Sequence, residues 1–253
     1  LAVTFTYPNS DKEPAGEAKT PGTVKCEKKL DFTSSNPLTE QQQKDYGIYF
    51  EDNTDGSHTL TLYNANIEVA LEVARFGQVS GIINLPANTK VILMGVNNIK
   101  NTIATSSNAA ASVFMKGDGF ISSDSATNGE LNMSGGGYGI YSESSSEGEV
   151  RFENAKINFS DSNYTSGSGI FISYAKQNVI FDNSNITVTN TKGNGLDFSG
   201  TVTFRNNSKI NVNSSGGAAG VKGNKSIISE NSEVNIKNTL KGFVITKESI
   251  ILT

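Results

Sequence analysis

Histidine is the side chain most often asked to move protons near neutral pH, and this 253-residue sequence holds one, His58. No Ser/His/Asp set can be argued around it, and its place just before a strand-like segment reads as an exposed or cap-packing residue. One cysteine, Cys26, excludes both an intrachain disulfide and a Cys/His zinc cluster. Arginine is confined to Arg75, Arg151 and Arg205. Arg151 lies between two inward-facing apolar positions and beside Glu149 and Glu153, so it is expected to point outward as a solvated charge. Carboxylates are numerous, but on adjacent turns of a repetitive fold many pairs meet the roughly 5–9 Å spacing of a glycosidase pair. Such pairs alone select nothing. A hard cation wants several oxygen ligands. Asp118 and Asp124 flank a glycine-containing turn and Asp161 sits in a Ser/Asn loop, which makes these three the candidate calcium ligands. No EF-hand or nonapeptide calcium motif is present.

Aromatic rings offer a different chemistry, stacking on the apolar faces of sugars. Tyr138, Tyr141, Tyr164, Phe171 and Tyr174 crowd into one stretch, and only a repeat could bring them onto a common face. Such a repeat exists. A phrase of about ten residues, apolar-x-apolar-x-Asn-small-x-apolar-x-apolar, recurs from Leu60 to Val69, Val150 to Phe159, Val179 to Val188, Val202 to Val212 and Ile227 to Ile236. Degenerate turns are expected around Val91 to Met94 and Leu131 to Met133. After each of the four later copies comes a phrase opened by glycine, Gly169, Gly195, Gly220 and Gly242, and Gly139 fits one coil earlier.

Apolar/polar alternation means strands with one buried face. Three short strands in each 22–30-residue turn, with asparagine or glycine at the corners, predict an all-β, right-handed parallel β-helix. It is a single-stranded solenoid of about seven coils, roughly 35 Å long at ~4.8 Å per coil. Asn64, Asn154, Asn183, Asn206 (or Asn207) and Asn231 are expected to line up as a structural ladder at one corner. In the glycine-led strands the outward column becomes Tyr141, Phe171, Asp197, Lys222 and Val244. Tyr141 and Phe171 are expected as adjacent exposed aromatics, with Tyr138, Tyr164 and Tyr174 extending the platform. Asp197 and Lys222 complete this candidate carbohydrate-binding set. A second column, Glu68, Asn158, Thr187, Asn211 and Asn235, reads as plain solvated sheet.

Residues 1–50 differ from the repeat in residues 51–253. Four of the five prolines (Pro8, Pro14, Pro21, Pro37) lie there, the stretch from Ala2 to Tyr7 alternates like a strand, and Thr39 with Gln42 forms a capping-box pattern before a short helix. A solenoid end exposes core and strand edges, so this segment is expected to be an N-terminal cap. Ile67 to Phe76 also suits a short helix by its apolar spacing. A first residue of Leu suggests a processed or trimmed start, and Ile250 to Thr253 ends in strand-like sequence.

Charge is nearly balanced, 25 acidic against 21 basic residues for a net −4, which lacks the basic footprint of a nucleic-acid binder. No apolar run approaches the ~20 residues of a membrane-spanning helix. The Asn-x-Ser/Thr triplets follow from an Asn- and Ser-rich composition.

The segments Gly47 to Phe50, His58 to Ile67 and Lys90 to Ile99, with the later Gly-Ile phrases, resemble secreted bacterial carbohydrate-binding-domain proteins. That group is a calcium-associated, polysaccharide-lyase-like set of right-handed β-helices. The resemblance spans roughly residues 47–245 and rests on fold motifs. It implies an extracellular location, binding of acidic polysaccharide and bound calcium; lyases on this fold add an arginine or lysine base. Taken with this resemblance, the leading reading is a secreted or cell-surface, monomeric, bacterial protein that binds polysaccharide without cleaving it. The alternatives are a lyase-like enzyme and a structural or adhesin module with no glycan ligand.

Overall fold

Short alternating segments broken by residues that accept left-handed backbone wind into coils because each strand can bury only one face and must find neighbours on both edges. The computed structural model describes residues 22–252 apart from 74–78, 104, 144–147, 163, 174–176, 214–218 and 246–249. Within them the chain is a right-handed parallel β-helix of three sheets. Each coil runs through sheet 1, then sheet 2, then sheet 3; the first coil uses His58–Tyr63, Asn66–Val69 and Gly81–Leu85. Among the described residues sheet 2 holds seven strands, one for each coil. Sheet 3 gains Leu30–Asp31, and sheet 1 gains Ile48–Asp52 at one end and Ile250–Leu252 at the other.

Side chains pointing inward stack coil on coil. In sheet 1 one column reads Leu60, Val91, Ile121, Phe152, Phe181 and Phe204. The Phe152 and Phe181 rings lie 4.6 Å apart and nearly parallel, and Phe204 continues the stack 5.2 Å from Phe181. All three are fully buried. The glycines that open the sheet 3 strands have a role other than turning. Gly169, Gly195 and Gly220 do not need positive φ; a Cβ on any of them would strike Val188, Val212 or Ile236 of sheet 2. They are glycine because two sheets converge there.

The earliest repeat copy stands two residues out of step with the later ones. Leu60 leads through Val91 and Ile121 to Phe152, not to Val150. The strands His58–Tyr63 and Thr89–Met94 turn at Asn64 and Gly95, two register positions beyond the Asn154 corner that ends the equally long Gly148–Glu153. In sheet 2, Ile67 accordingly stands with Ile99, Met133 and Phe159. Glu68 therefore pairs with Lys100 and leaves the column expected for it, where Asn66 takes its place. Asn97 fills an inward slot occupied by Leu131 and Ile157 in later coils. Fully buried, its amide accepts from the Ala65 N–H at 2.9 Å and donates to the Met94 and Glu130 carbonyls at 3.2 and 3.1 Å. A buried amide is tolerated because it is satisfied. Ile67 lies in a strand, Asn66–Val69, and not in a helix.

The described part of the leading segment lies over the first coil. Cys26 bridges to Ile67 and is fully buried, which pushes its thiol pKa up. Thr39 and Gln42 close a reciprocal capping box on the helix Glu40–Tyr46, and Gly47 ends it in left-handed conformation. Ile48–Asp52 then pairs antiparallel with His58–Tyr63. His58 stacks on Phe50 at 5.7 Å and its Nδ1 meets Asp52 at 2.7 Å. Phe32 stacks on the other side of Phe50 at 4.4 Å. The lone histidine thus packs at the cap. Ala2 to Tyr7 lie outside the described residues.

Candidate functional site

The outward face of sheet 3 gathers most of the rings singled out in the sequence. Paired positions run Phe114, Tyr141, Phe171, Asp197, Lys222 and Val244 across coils 2 to 7. Tyr141 and Phe171 stack with centroids 5.1 Å apart at 15°, and Phe114 extends the stack at 5.7 Å from Tyr141. Tyr138 sets its ring edge-on to Tyr141 at 5.1 Å and to Tyr164 at 5.8 Å. Such offset and edge-on geometries are the ones ring quadrupoles favour.

The loops from sheet 2 to sheet 3 rise beside this face and turn it into a groove of about 610 Å³. Thr165, Ser166, Lys192, Gly193, Asn194 and Leu240 form its walls, with Tyr138, Tyr141, Tyr164 and Phe171 as its aromatic floor. Asp197 and Lys222 lie at the polar end. The Asp197 carboxylate accepts from Asn194 at 2.7 Å and from the Lys222 ammonium at 3.2 Å. Loop walls over a rigid sheet are a common way to build a ligand site.

The rings are more enclosed than the sequence led one to expect. Tyr138 and Tyr164 are buried, while Tyr141 and Phe171 are half-buried: Tyr141 stacks with Phe114 and with Phe171, and Tyr138 packs against both Tyr141 and Phe171. Burial pushes the Tyr138 hydroxyl pKa well up, reinforced by Tyr164, Tyr141 and Asp197. Tyr141 shifts the same way, from burial first and Glu143 second, against a lowering hydrogen bond with Ser173. Both phenols therefore stay neutral and can donate. Tyr174 lies outside the described residues. Phe114 was missed because its strand, Ala111–Met115, has no leading glycine; its signal was its place between the inward Val113 and Met115. The loop residues Lys192 and Asn194 carried no repeat signal at all.

The three aspartates proposed for calcium do not come together. Asp124 Oδ1 accepts from the Ala126 and Thr127 N–H groups at 3.0 Å, locking its own turn. Asp161, in left-handed conformation, accepts from Asn190 at 3.0 Å at the far edge of sheet 2. Asp118 precedes the sheet 1 strand Gly119–Ser123, and its carbonyl accepts from the Asn88 N–H. Among the described residues no group of three or more His, Cys, Asp or Glu side chains is placed to hold a metal ion. Calcium takes oxygen ligands, and Asp124 and Asp161 already accept hydrogen bonds within their own loops.

Arg151 points outward but is not simply solvated. It reaches Glu153 at 3.1 Å and Asp182 at 2.9 Å, and Arg205 holds the same Asp182 at 2.8 Å. Burial alone would raise the Asp182 pKa; hydrogen bonds from Asn206 and Arg205 and the two guanidinium charges outweigh it and hold the carboxyl below its usual range. This network joins three coils on sheet 1 and reads as structural. Arg75 lies outside the described residues.

At the corner between sheets 1 and 2, Asn64, Asn154, Asn183, Asn206 and Asn231 all have positive φ. Asn183 donates to Asn154 at 2.7 Å. Asn206 departs from that pattern, turning its amide to Asp182 at 2.7 Å, because the carboxylate is the stronger acceptor. Asn64 also stands apart: its Oδ1 accepts from the Val96 N–H at 3.1 Å, and Gly95 holds the equivalent corner one coil on.

Within the groove Asp197 is the one carboxylate among the described lining residues, and a glycosidase needs two. What the arrangement offers is a ring-faced floor, neutral phenols, loop hydroxyls and amides, and an ion pair at one end. No helix among the described residues is long and apolar enough to cross a membrane. Compared with protein-family models, with curated proteins and with solved structures, the chain finds no significant match.

Proposed function

We propose that this protein is a secreted or cell-surface polysaccharide-binding β-helix that holds its ligand without cleaving it. The observation that carries this reading is the Tyr141–Phe171 stack on the floor of a 610 Å³ groove. The half of the Tyr141 and Phe171 ring surface left open to the groove can desolvate the C–H faces of pyranose rings, and the groove's hydroxyls and amides answer the equatorial hydroxyls at the rim. Rings held by neighbours on a rigid sheet need little ordering on binding. Lys192 supplies positive charge on the groove wall, Lys222 being already paired with Asp197, which suits a uronate carboxylate on an acidic glycan.

The test is binding of the purified protein to a panel of acidic and neutral polysaccharides, each with calcium and with chelator. Saturable binding lost in Tyr141→Ala or Phe171→Ala, with product analysis showing no cleavage, supports the reading. Absence of binding across the panel overturns it and puts a structural or adhesin role first. Release of unsaturated oligosaccharides would favour the lyase-like alternative.

A further inference from the structure

Sheet 2 presents a second concave face that shares no residue with the aromatic groove. Paired outward positions run Asn66, Asn98, Asn132, Asn158 and Thr187 across the first five coils. Small residues, Ser134, Ser160 and Thr189, occupy the neighbouring column. Small side chains next to longer ones leave a trough of about 420 Å³ along the solenoid axis.

The amides in this trough hold one another still. Asn158 Nδ2 donates to Asn132 Oδ1 at 2.8 Å and to Glu130 at 2.7 Å, and Asn132 Nδ2 donates to Asn98 Oδ1 at 3.3 Å. A ladder of this kind fixes rotamers without exhausting the groups. An amide carries two N–H donors and a two-lone-pair oxygen. Both N–H groups of Asn98, one of Asn132, the oxygen of Asn158 and the hydroxyl of Thr187 therefore keep capacity facing a half-exposed surface.

Charge at the trough is already neutralised. Glu68 and Lys100, its charged lining residues, pair with each other at 3.2 Å, and Lys25 adds a second contact to Glu68. Glu130, bonded to Asn158, is paired with Lys156 at 2.7 Å. The face thus offers pre-ordered, uncharged donors and acceptors, repeated once per coil at ~4.8 Å over about 19 Å.

We propose that this trough is a second, independent binding site for a neutral, hydroxyl-rich chain lying parallel to the solenoid axis. Such a chain presents hydroxyls ring after ring at an interval close to the coil spacing, so successive rings meet successive rungs. Locked amides lose little side-chain freedom on binding, and no unpaired charge must be desolvated. The site holds whether or not the aromatic groove binds glycan. Its affinity comes from hydrogen bonds alone, so it is weaker than a ring-faced site.

The experiment uses the full 253-residue chain carrying Tyr141→Ala, ¹⁵N-labelled, titrated with galactomannan and mixed-linkage β-glucan oligosaccharides. The side-chain amide resonances of Asn98, Asn132 and Asn158 should shift saturably with at least one probe. Ser160→Arg, added to that background, fills the trough from an outward position and leaves the amide ladder intact. It should weaken binding at least tenfold with an unchanged circular dichroism spectrum; Ser134→Arg is the second variant, used if Ser160→Arg fails to fold. Amides unmoved by both probes, or affinity unchanged by a folded Arg variant, overturns the trough. Failure of the groove reads differently: unmutated and Tyr141→Ala proteins would then bind every polysaccharide alike.

Discussion

Tyr141 and Phe171, 30 residues apart in the sequence, occupy directly paired positions on adjacent coils and stack at 5.1 Å. Phe114 stacks on Tyr141, Tyr138 packs against both rings, and Tyr164 packs on Tyr138. A ligand ring would meet this floor with its rotamers already chosen. Replacing either ring by alanine removes one of the two half-exposed rings of the floor, and glycan affinity measured by titration calorimetry should fall at least tenfold, ~1.4 kcal/mol. Phe171→Tyr should keep most of the binding, because the stacking face survives. Equal losses for Tyr and Ala would place the effect in folding and not in the ring face.

Asp182 is the shared anion of Arg151 and Arg205. Its native carboxyl is held below the ordinary aspartate range, so the unfolded chain takes up the proton first as pH drops. The stabilisation is complete above the unfolded value of ~3.9 and is lost as pH falls below it through the native value. Asp182→Asn should lower stability at pH 7 by about 2 kcal/mol and flatten the acid limb of a melting-temperature profile. An unchanged profile would show that the two arginines find other partners.

Gly195 sits where a Cβ would meet Val212 and the Gly220 carbonyl. Overpacking there should cost Gly195→Ala about 2 kcal/mol in chemical denaturation. Paired with Val212→Ala, which makes room, the loss should be less than additive.

Asn183 combines left-handed backbone with a rung to Asn154. Asn183→Ala should cost about 1–2 kcal/mol, since alanine pays the αL penalty and drops the hydrogen bond. Asn183→Gly, which loses only the rung, should cost less. A reversed order would mean that the rung outweighs the backbone.

Phe181 is the middle ring of the Phe152–Phe181–Phe204 stack. Phe181→Ala should destabilise by about 4 kcal/mol. In a solenoid each coil contacts chiefly its neighbours, so the gain in amide hydrogen exchange should concentrate in the coils holding Phe152 and Phe204. Uniform loss of protection along the rod would show one cooperative unit instead.

The fold was legible because the repeat is written in residues whose physics is local. Val and Phe alternating with polar residues make one-faced strands, and asparagine accepts the left-handed corners. These constraints recur at 23 to 31 residues from Leu60 to Leu252, so sequence alone determined the coil, its three strands and the column joining Tyr141, Phe171, Asp197 and Lys222. Register in the first coils was not legible. Two extra residues before the corners at Asn64 and Gly95 keep the same alternation, and only pairing with the next coil decides where a strand ends; that is how Glu68 left its expected column. Asn97 looked like surface sequence because a buried amide is acceptable only when particular carbonyls surround it. Enclosure of the aromatic groove was equally tertiary. Thr165, Ser166, Lys192 and Asn194 belong to loops whose composition says only that they turn, and their height above sheet 3 depends on how coils of unequal length stack.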